Sequence, residues 1–282
     1  YYGGDEYYFV PLNRPYDDVQ GIYKLNLEMK KRKCLVHELI LNKDKSIITV
    51  VNGISYVLIK LCKYKNDKVF LNDINYIQNM TVNIECDKSL VRNDWIKLWS
   101  EKIDYYEYQI SQVGKKYPLL CDSLSYFIGM GENAISYLVN NLDSKSNVNL
   151  VVSHKRIYQE RGSLNFYDPL NFVVDSRVRD VAEFIKETFY NKTLNLYDLK
   201  SYFNMANLNK NEYILLLGRL LFPTYYFDIY DDIINIGKSE ELVINIIDRT
   251  DEYESLLNTI YKFILYEKMA RLEPIEWLQD KN

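Results

Sequence analysis

The sequence predicts an α+β fold in two lobes, a small antiparallel sheet followed by a larger, mainly helical part. Three observations predict it. Asn52-Gly53 stands between two apolar runs, a strong signal for a two-residue hairpin. From Asn93 onward, apolar residues recur at helical spacing over long stretches. After a central stretch, Asn149 to Lys186, the chain reads as almost continuous helix. At 282 residues there is enough chain for two lobes, each with its own core. We place the N-lobe at residues 1–90 and the helical C-lobe at 91–282.

Each element has its own justification. Asn13-Arg14-Pro15-Tyr16 reads as a turn that feeds a helix from about Asp17 to Lys31. Asp17 and Asp18 suit the positive helix start, and Lys30, Lys31 and Arg32 suit the negative end. Three strand-like runs follow, Cys34–Leu41, Ser46–Val51 and Ile54–Cys62, and together they read as an antiparallel meander. Phe70 to Met80 is a short helix, and Thr81 to Cys86 a further strand-like run. Trp95, Trp99, Tyr106, Ile110 and Val113 share one helical face, which ends at Gly114. Pro118 opens a second long helix to about Asn141, with Gly129 and Gly131 inside it. Glycine there weakens a helix and is explained by a backbone that packs closely. In the central stretch, Leu150-Val151-Val152 is a short strand ending at Ser153-His154, Asn165-Phe166-Tyr167 approaches Asp168 in strand-like fashion, and Asp180 opens a helix from Val181 to Tyr190. Helices are then expected over Tyr197–Met205, Lys210–Leu221, Tyr225–Ile236, Ser239–Ile247 and Asp251–Met269.

Composition excludes several functions. A net charge of −4 gives no electrostatic footprint for nucleic acid or an anionic membrane. No apolar run approaches the roughly 18–20 residues of a membrane span. The start, YYGGDEYYF, lacks the basic region and apolar core of a signal peptide, and without a starting Met the chain is expected to have residues upstream. Cys34, Cys62, Cys86 and Cys121 have no CxxC spacing, so reduced thiols in a cytoplasmic protein are expected. With His37 and His154 the only histidines, a His-rich metal centre is excluded, and a carboxylate-bound Mg²⁺ is not.

Several residues carry candidate chemistry. Lys60 ends the apolar strand YVLIK, either pointing into a cleft to meet phosphates or lying on the solvent face. No glycine-rich phosphate cradle precedes it, since the first loop is Asn42-Lys43-Asp44-Lys45. Glu132 flanks the apolar stripe of its helix, where a carboxylate should be paired, and a structural hydrogen bond that fixes a loop is the expectation. His154 either orients its loop or acts as a base. Asp168 and Asp175 each either hold Mg²⁺ or cap a turn, and Asp180 reads as a helix cap.

Taken together, the lysine strand, the long helices, the strand ending at a His loop, the acids and RDVAEFIK resemble the kinase-like fold of the aminoglycoside phosphotransferase and choline kinase group. More closely, DWIKLWSEKIDYYEYQ, SYFIGMGENAISYLVN, RLLFPTYYFDIYDD and EPIEWL resemble the spore-coat-associated kinase-like proteins of the YutH type. The resemblance covers roughly Asp94 to Leu278. It implies a two-lobed protein-kinase-like fold with ATP and Mg²⁺ as cofactors. It matches Lys60 to the nucleotide-phosphate lysine, His154 to the start of the catalytic loop, Asp168 (with Asp175 as rival) to the metal-binding acid, and Asp180 to the structural acid that holds that loop. It also exposes departures in the region 149–186. Arg156 stands where the catalytic Asp is expected, and Arg161 stands near the position of the metal-binding Asn. Arginine stays protonated and accepts nothing, so neither can be base or metal ligand. No glutamate in Phe70–Met80 is available for Lys60, only Asp73.

The expectation is a kinase-like protein with a degenerate catalytic loop, a pseudokinase-type module that binds a nucleotide or another anionic small molecule, or scaffolds spore coat proteins. Arg156 and Arg161 would be its anion contacts. The alternatives are an active phosphotransferase using Lys60 and Asp168, and a purely structural interaction protein.

Overall fold

A computed structural model describes residues 4–64, 66–143, 148–267, 272 and 274–279. The expected helix end at Met269 and the terminal residues 280–282 lie outside them. In chain order the elements are β1 (Tyr7–Pro11), α1 (Tyr16–Lys31), β2 (Glu38–Ile40), β3 (Ile48–Val51), β4 (Ile54–Lys60), α2 (Leu71–Thr81), α3 (Trp95–Val113) and α4 (Pro118–Asn141). Next come β5 (Leu150–His154), α5 (Ser163–Phe166), β6 (Phe172–Ser176) and α6 (Val178–Tyr190). The chain continues with α7 (Leu196–Ala206), α8 (Lys210–Leu221), α9 (Thr224–Ile236), α10 (Ile244–Ile247), α11 (Thr250–Glu267) and α12 (Glu276–Gln279). This is the small antiparallel sheet with a larger helical part that the sequence predicts. Among the described residues no helix is long and apolar enough to cross a membrane.

Two compact units form. The first takes Tyr1–Asn93, Asn149–Phe184 and Leu196–Ala206, and the second takes Asp94–Val148, Ile185–Asn195 and Asn207–Asn282. The central stretch through Phe184 therefore belongs with the N-terminal residues.

In the first unit β4 is the organising strand. It pairs antiparallel with β1 along one edge, with Tyr7 opposite Lys60. Along its other edge it pairs with β2 over Leu58–Lys60 and with β3 over Ile54–Val57. The expected meander is thus corrected, because β2 and β3 do not pair with each other but lie end to end along β4. The cause is local. Asn42 Oδ1 accepts the N–H groups of Asp44 and Ser46, and Lys45 takes a left-handed φ of 59°, so the loop returns the chain to the same edge. Asn52 and Gly53 at φ 51° and 78° make the hairpin turn the dipeptide demands.

A second sheet is the hairpin β5–β6, in register from Leu150↔Ser176 to His154↔Phe172. Val151, Val152, Phe172, Val173 and Val174 are all buried. Each such side chain contributes about 1.5–3 kcal/mol of burial. Neither β1 nor β6 has a counterpart in the sequence reading. Conversely, Thr81–Cys86 forms no strand, and Asn165-Phe166 lies in the short helix α5.

In the second unit α3 and α4 pack as a helical hairpin. Gly131 explains itself here, since a Cβ would stand 2.9 Å from Ile103 Cδ1. Tyr106, fully buried, stacks on Phe227 and donates to Asp231 at 2.8 Å.

Candidate functional site

The site grows from the β5–β6 hairpin of the first unit. His154 ends β5 and is fully buried. Its backbone N–H donates to Asp180 Oδ1 at 2.9 Å, its Nδ1 lies 2.7 Å from Asp180 Oδ2, and its Nε2 lies 2.8 Å from the Phe166 carbonyl. Both ring nitrogens face oxygens that accept. The ring therefore offers no lone pair to a substrate, and its work is to orient the loop. Phe166 stacks on it with centroids 4.3 Å apart, and Phe172 meets its edge at 5.3 Å.

Asp180 stands in the first turn of α6, where the helix dipole favours its charge. It is 1 % exposed and receives both donors of His154. One turn geometry thus joins helix start, strand end and loop.

Arg179, which spacing alone does not mark, completes the joint. Its Nε donates to the His154 carbonyl at 2.8 Å and its Nη1 to Asp175 Oδ2 at 2.9 Å. Asp175 lies on β6 and is fully buried, with Oδ1 accepting the Ser176 N–H at 2.6 Å. Both of its oxygens are engaged, one by a guanidinium. Asp168 takes the other role the sequence allowed it: Oδ1 accepts the Leu170 N–H at 2.9 Å and caps the turn Pro169–Asn171. Burial pushes its carboxyl up to about 6, against the pull of that hydrogen bond and of Lys155. Burial first, and then the charge of Arg14, pushes the Lys155 ammonium down to about 8. Among the described residues no group of three or more His, Cys, Asp or Glu is placed to hold a metal ion. A hard cation wants several free oxygens, and a carboxylate already bound by Arg179 does not supply them. Of the two acids, Asp175 is tied to Arg179, while Asp168 spends only Oδ1 on the turn it caps.

The loop between the strands is held at its stem by Asn171, a residue the sequence reading passed over. Its Nδ2 donates to the Arg156 carbonyl at 3.0 Å and to Asn165 Oδ1 at 2.5 Å, while its own carbonyl accepts the Lys155 N–H at 2.8 Å. Arg156 is half-buried and its Nη1 donates to the Lys155 carbonyl at 2.7 Å. Arg161 is exposed, with a left-handed φ of 52°. Gly162 follows it for a steric reason, since a Cβ there would fall 1.7 Å from the Tyr158 carbonyl oxygen.

His37 is a second node that spacing does not announce. It is 1 % exposed, its Nδ1 accepts the Cys62 N–H at 3.1 Å, and its Nε2 donates to the Leu164 carbonyl at 3.1 Å. Those partners lie 25 and 127 residues away, which is why no local pattern reveals it. Burial lowers its pKa to about 4.

Two further candidates, Lys60 and Glu132, have these surroundings. Lys60 does end β4, but its ammonium lies 2.5 Å from Asp5 Oδ2, in a pair about one third exposed. Asp5 holds the lysine's pKa up. Asp73 is occupied as well, accepting the Phe70 N–H at 2.9 Å. Glu132 was expected to pair and fix a loop. It is exposed on α4 with no ion pair or side-chain hydrogen bond among the described residues, because its place on the flank of the stripe faces solvent.

Comparison with known proteins adds fold and family. An aminoglycoside phosphotransferase from Alicyclobacillus acidocaldarius subsp. acidocaldarius matches with a TM-score of 0.62 at 8% identity, over 93% of this chain and 88% of that one. Spectinomycin phosphotransferase in complex with ADP and spectinomycin matches with a TM-score of 0.55 at 9% identity, over 98% and 85%. At such identities the likeness is one of fold. Endospore coat-associated protein YutH of Bacillus subtilis (strain 168) is 30% identical over 207 residues, 65% of this chain and 61% of the relative. The chain thus spans less than two thirds of that relative's length. The family profile described as spore coat putative kinase YutH matches residues 1–260, and with the kinase-like fold already in place the chain belongs to that family.

Proposed function

We propose that this protein is a kinase-like binding module of the spore coat that holds a nucleotide or a similar anion without transferring phosphate. One observation carries the reading. The loop position expected to hold the catalytic acid is Arg156, its guanidinium donating to the Lys155 carbonyl, and the two buried groups beside it, His154 and Asp175, are engaged. His154 has both ring nitrogens on oxygens, and Asp175 has both oxygens on donors. A base needs a lone pair within reach of a substrate hydroxyl, and His154 and Asp175 are both fully buried. Nucleotide is the ligand class favoured because the related spectinomycin phosphotransferase binds ADP and AMP. Placement at the coat rests on the coat-associated relative, and coat proteins are the partner class that follows.

The test is melting temperature against ATP, with Mg²⁺ and then with EDTA, followed by a phosphate-transfer assay. The reading expects stabilisation of similar size in both buffers and no transfer. Transfer that disappears in Asp175→Asn or Asp168→Asn would establish the active phosphotransferase instead. Absence of any shift at millimolar ATP would leave the structural interaction protein.

A further inference from the structure

In the first unit, the β5–β6 hairpin gathers three cations that the loop stem does not require. The Asn171 carbonyl faces β5, where it accepts the Lys155 N–H at 2.8 Å. By alternation along the strand, the Phe172 and Val174 carbonyls face away from β5. The first accepts from Arg14 Nη2 at 3.1 Å and the second accepts the Arg92 N–H at 2.8 Å. Arg14 and Arg92 thus stand side by side on the outer edge of β6, with Lys155 at the end of the same hairpin. The three charges repel one another. Burial and then Arg14 push the Lys155 ammonium down to about 8, and Arg92 adds to the push. Burial lowers the Arg14 guanidinium as well, opposed by Asp18 and reinforced by Arg92. Two carboxylates answer them. Asp18 lies 3.4 Å from Arg14, and Asp168 acts on Lys155 with its Oδ1 already on the Leu170 N–H. Much of the donor capacity is left over. Arg14 is 6 % exposed, yet its Nε has no hydrogen-bond partner. The Lys155 ammonium makes no hydrogen bond or ion pair among the described residues, and Arg92 spends only Nη1, on the Ser89 and Val91 carbonyls. Like charges gathered where hydration is poor destabilise the chain that carries them unless an anion joins them.

We infer that Arg14, Arg92 and Lys155 form a binding site for an oxyanion of the phosphate type. Lys155 and Arg92, both half-buried, meet the anion directly, and buried Arg14 supplies charge behind them. Phosphate suits the set because it offers several acceptor oxygens at once, to a guanidinium fork and to an ammonium. A metal cation does not fit beside three positive charges. The site uses neither Arg156 nor Arg161, so it does not depend on the nucleotide reading. Its phosphoryl group belongs either to free phosphate or to a nucleotide, and competition distinguishes the two.

Isothermal titration calorimetry with inorganic phosphate and the full chain tests this, with chloride holding the ionic strength constant. Phosphate should bind saturably. Lys155→Met should weaken it by about tenfold or more, and Lys155→Arg should keep it. Arg92→Met serves as the second variant and should weaken binding several-fold. Melting temperature gives an independent readout. In chloride, Lys155→Met should melt higher than the parent, because a repelled ammonium has been removed. In saturating phosphate that advantage should shrink or reverse. A lysine that merely held the hairpin would instead lower the melting temperature equally in both buffers. That result would overturn the inference, as would no saturable phosphate binding or equal affinity in the parent and both methionine variants. ATP added to the phosphate-bound protein then identifies the source. Competition assigns the site to a nucleotide's phosphates, and independent binding assigns it to free phosphate. Phosphate binding without any ATP shift would keep this site and remove the nucleotide reading, so the two fail separately.

Discussion

The two histidines of this chain are both buried and both hold a loop, yet they do so with different kinds of partner. His37 accepts from one backbone N–H and donates to one carbonyl, which suits a neutral imidazole. His154 instead has its Nδ1 2.7 Å from the Asp180 carboxylate and its Nε2 2.8 Å from the Phe166 carbonyl. The difference lies entirely in what surrounds the ring. At His154 a helix start delivers Asp180, and at His37 the partners are backbone alone. A buried histidine with a carboxylate depends on that carboxylate. One held only by backbone depends on the absence of a proton.

The largest break in this comparison should come from Asp180→Ala. It leaves the His154 backbone N–H and ring N–H without acceptors in a site where both residues are at most 1 % exposed. Removing one partner of a buried pair costs about 3–5 kcal/mol. The denaturant midpoint should fall accordingly, with Asp180→Asn recovering part of the loss because an amide oxygen still accepts. A midpoint unchanged in Asp180→Ala would show that Asp180 does not hold the loop.

What the sequence made legible follows the range of the interactions. The long helices were readable because their apolar stripes and end signals are local, as with Pro118 and Gly114 around α3 and α4. Asp180 was readable as a helix-start acid for the same reason. The strand order was not, since the pairing of β2 and β3 along one edge of β4 depends on a loop conformation set by Asn42. Strand β6 escaped notice because its Phe172-Val173-Val174 run is short and is buried on both sides, so it shows no alternation. Arg179 and Asn171 escaped because their partners are fixed by the hairpin register rather than by spacing. Asp168 and Asp175 had two open readings each, and only burial and hydrogen bonding distinguish a cap from a metal ligand.

The next effect is smaller and lies at His37. Its pKa is held at about 4, below the ordinary 6.5. Between those values the unfolded chain takes up a proton that the folded chain resists, so stability is full above about pH 6.5 and declines as pH falls toward 4. The total loss is about 3 kcal/mol. Asp168 acts in the opposite direction. Its carboxyl is pushed up to about 6, so its charge burdens the folded state at neutral pH and that burden lifts as pH falls toward 3.8. The measurement is therefore a difference, parent minus His37→Gln, of unfolding free energy from pH 7 to pH 4. The difference should shrink as pH falls. A flat difference would mean that His37 titrates normally and that its two hydrogen bonds survive protonation.

The smallest effect should be Lys60→Ala, and its smallness is informative. The ammonium pairs with Asp5 at the exposed end of β4, where solvent and salt screen the attraction. Its neighbours across the strands are Tyr7 and Glu38, so two carboxylates, Asp5 and Glu38, act on the cation. The midpoint in denaturant should be unchanged within error, and the melting shift produced by ATP should match the parent's. Asp5→Ala separates the two ways this can fail. If Lys60→Ala abolishes the ATP shift while Asp5→Ala strengthens it, the lysine leaves its carboxylate for the ligand, and the phosphate role belongs to Lys60 after all. If both variants behave as the parent does, the Lys60–Asp5 pair takes no part in nucleotide binding, and the search for the ligand's contacts moves to the Lys155–Arg156 side of the loop.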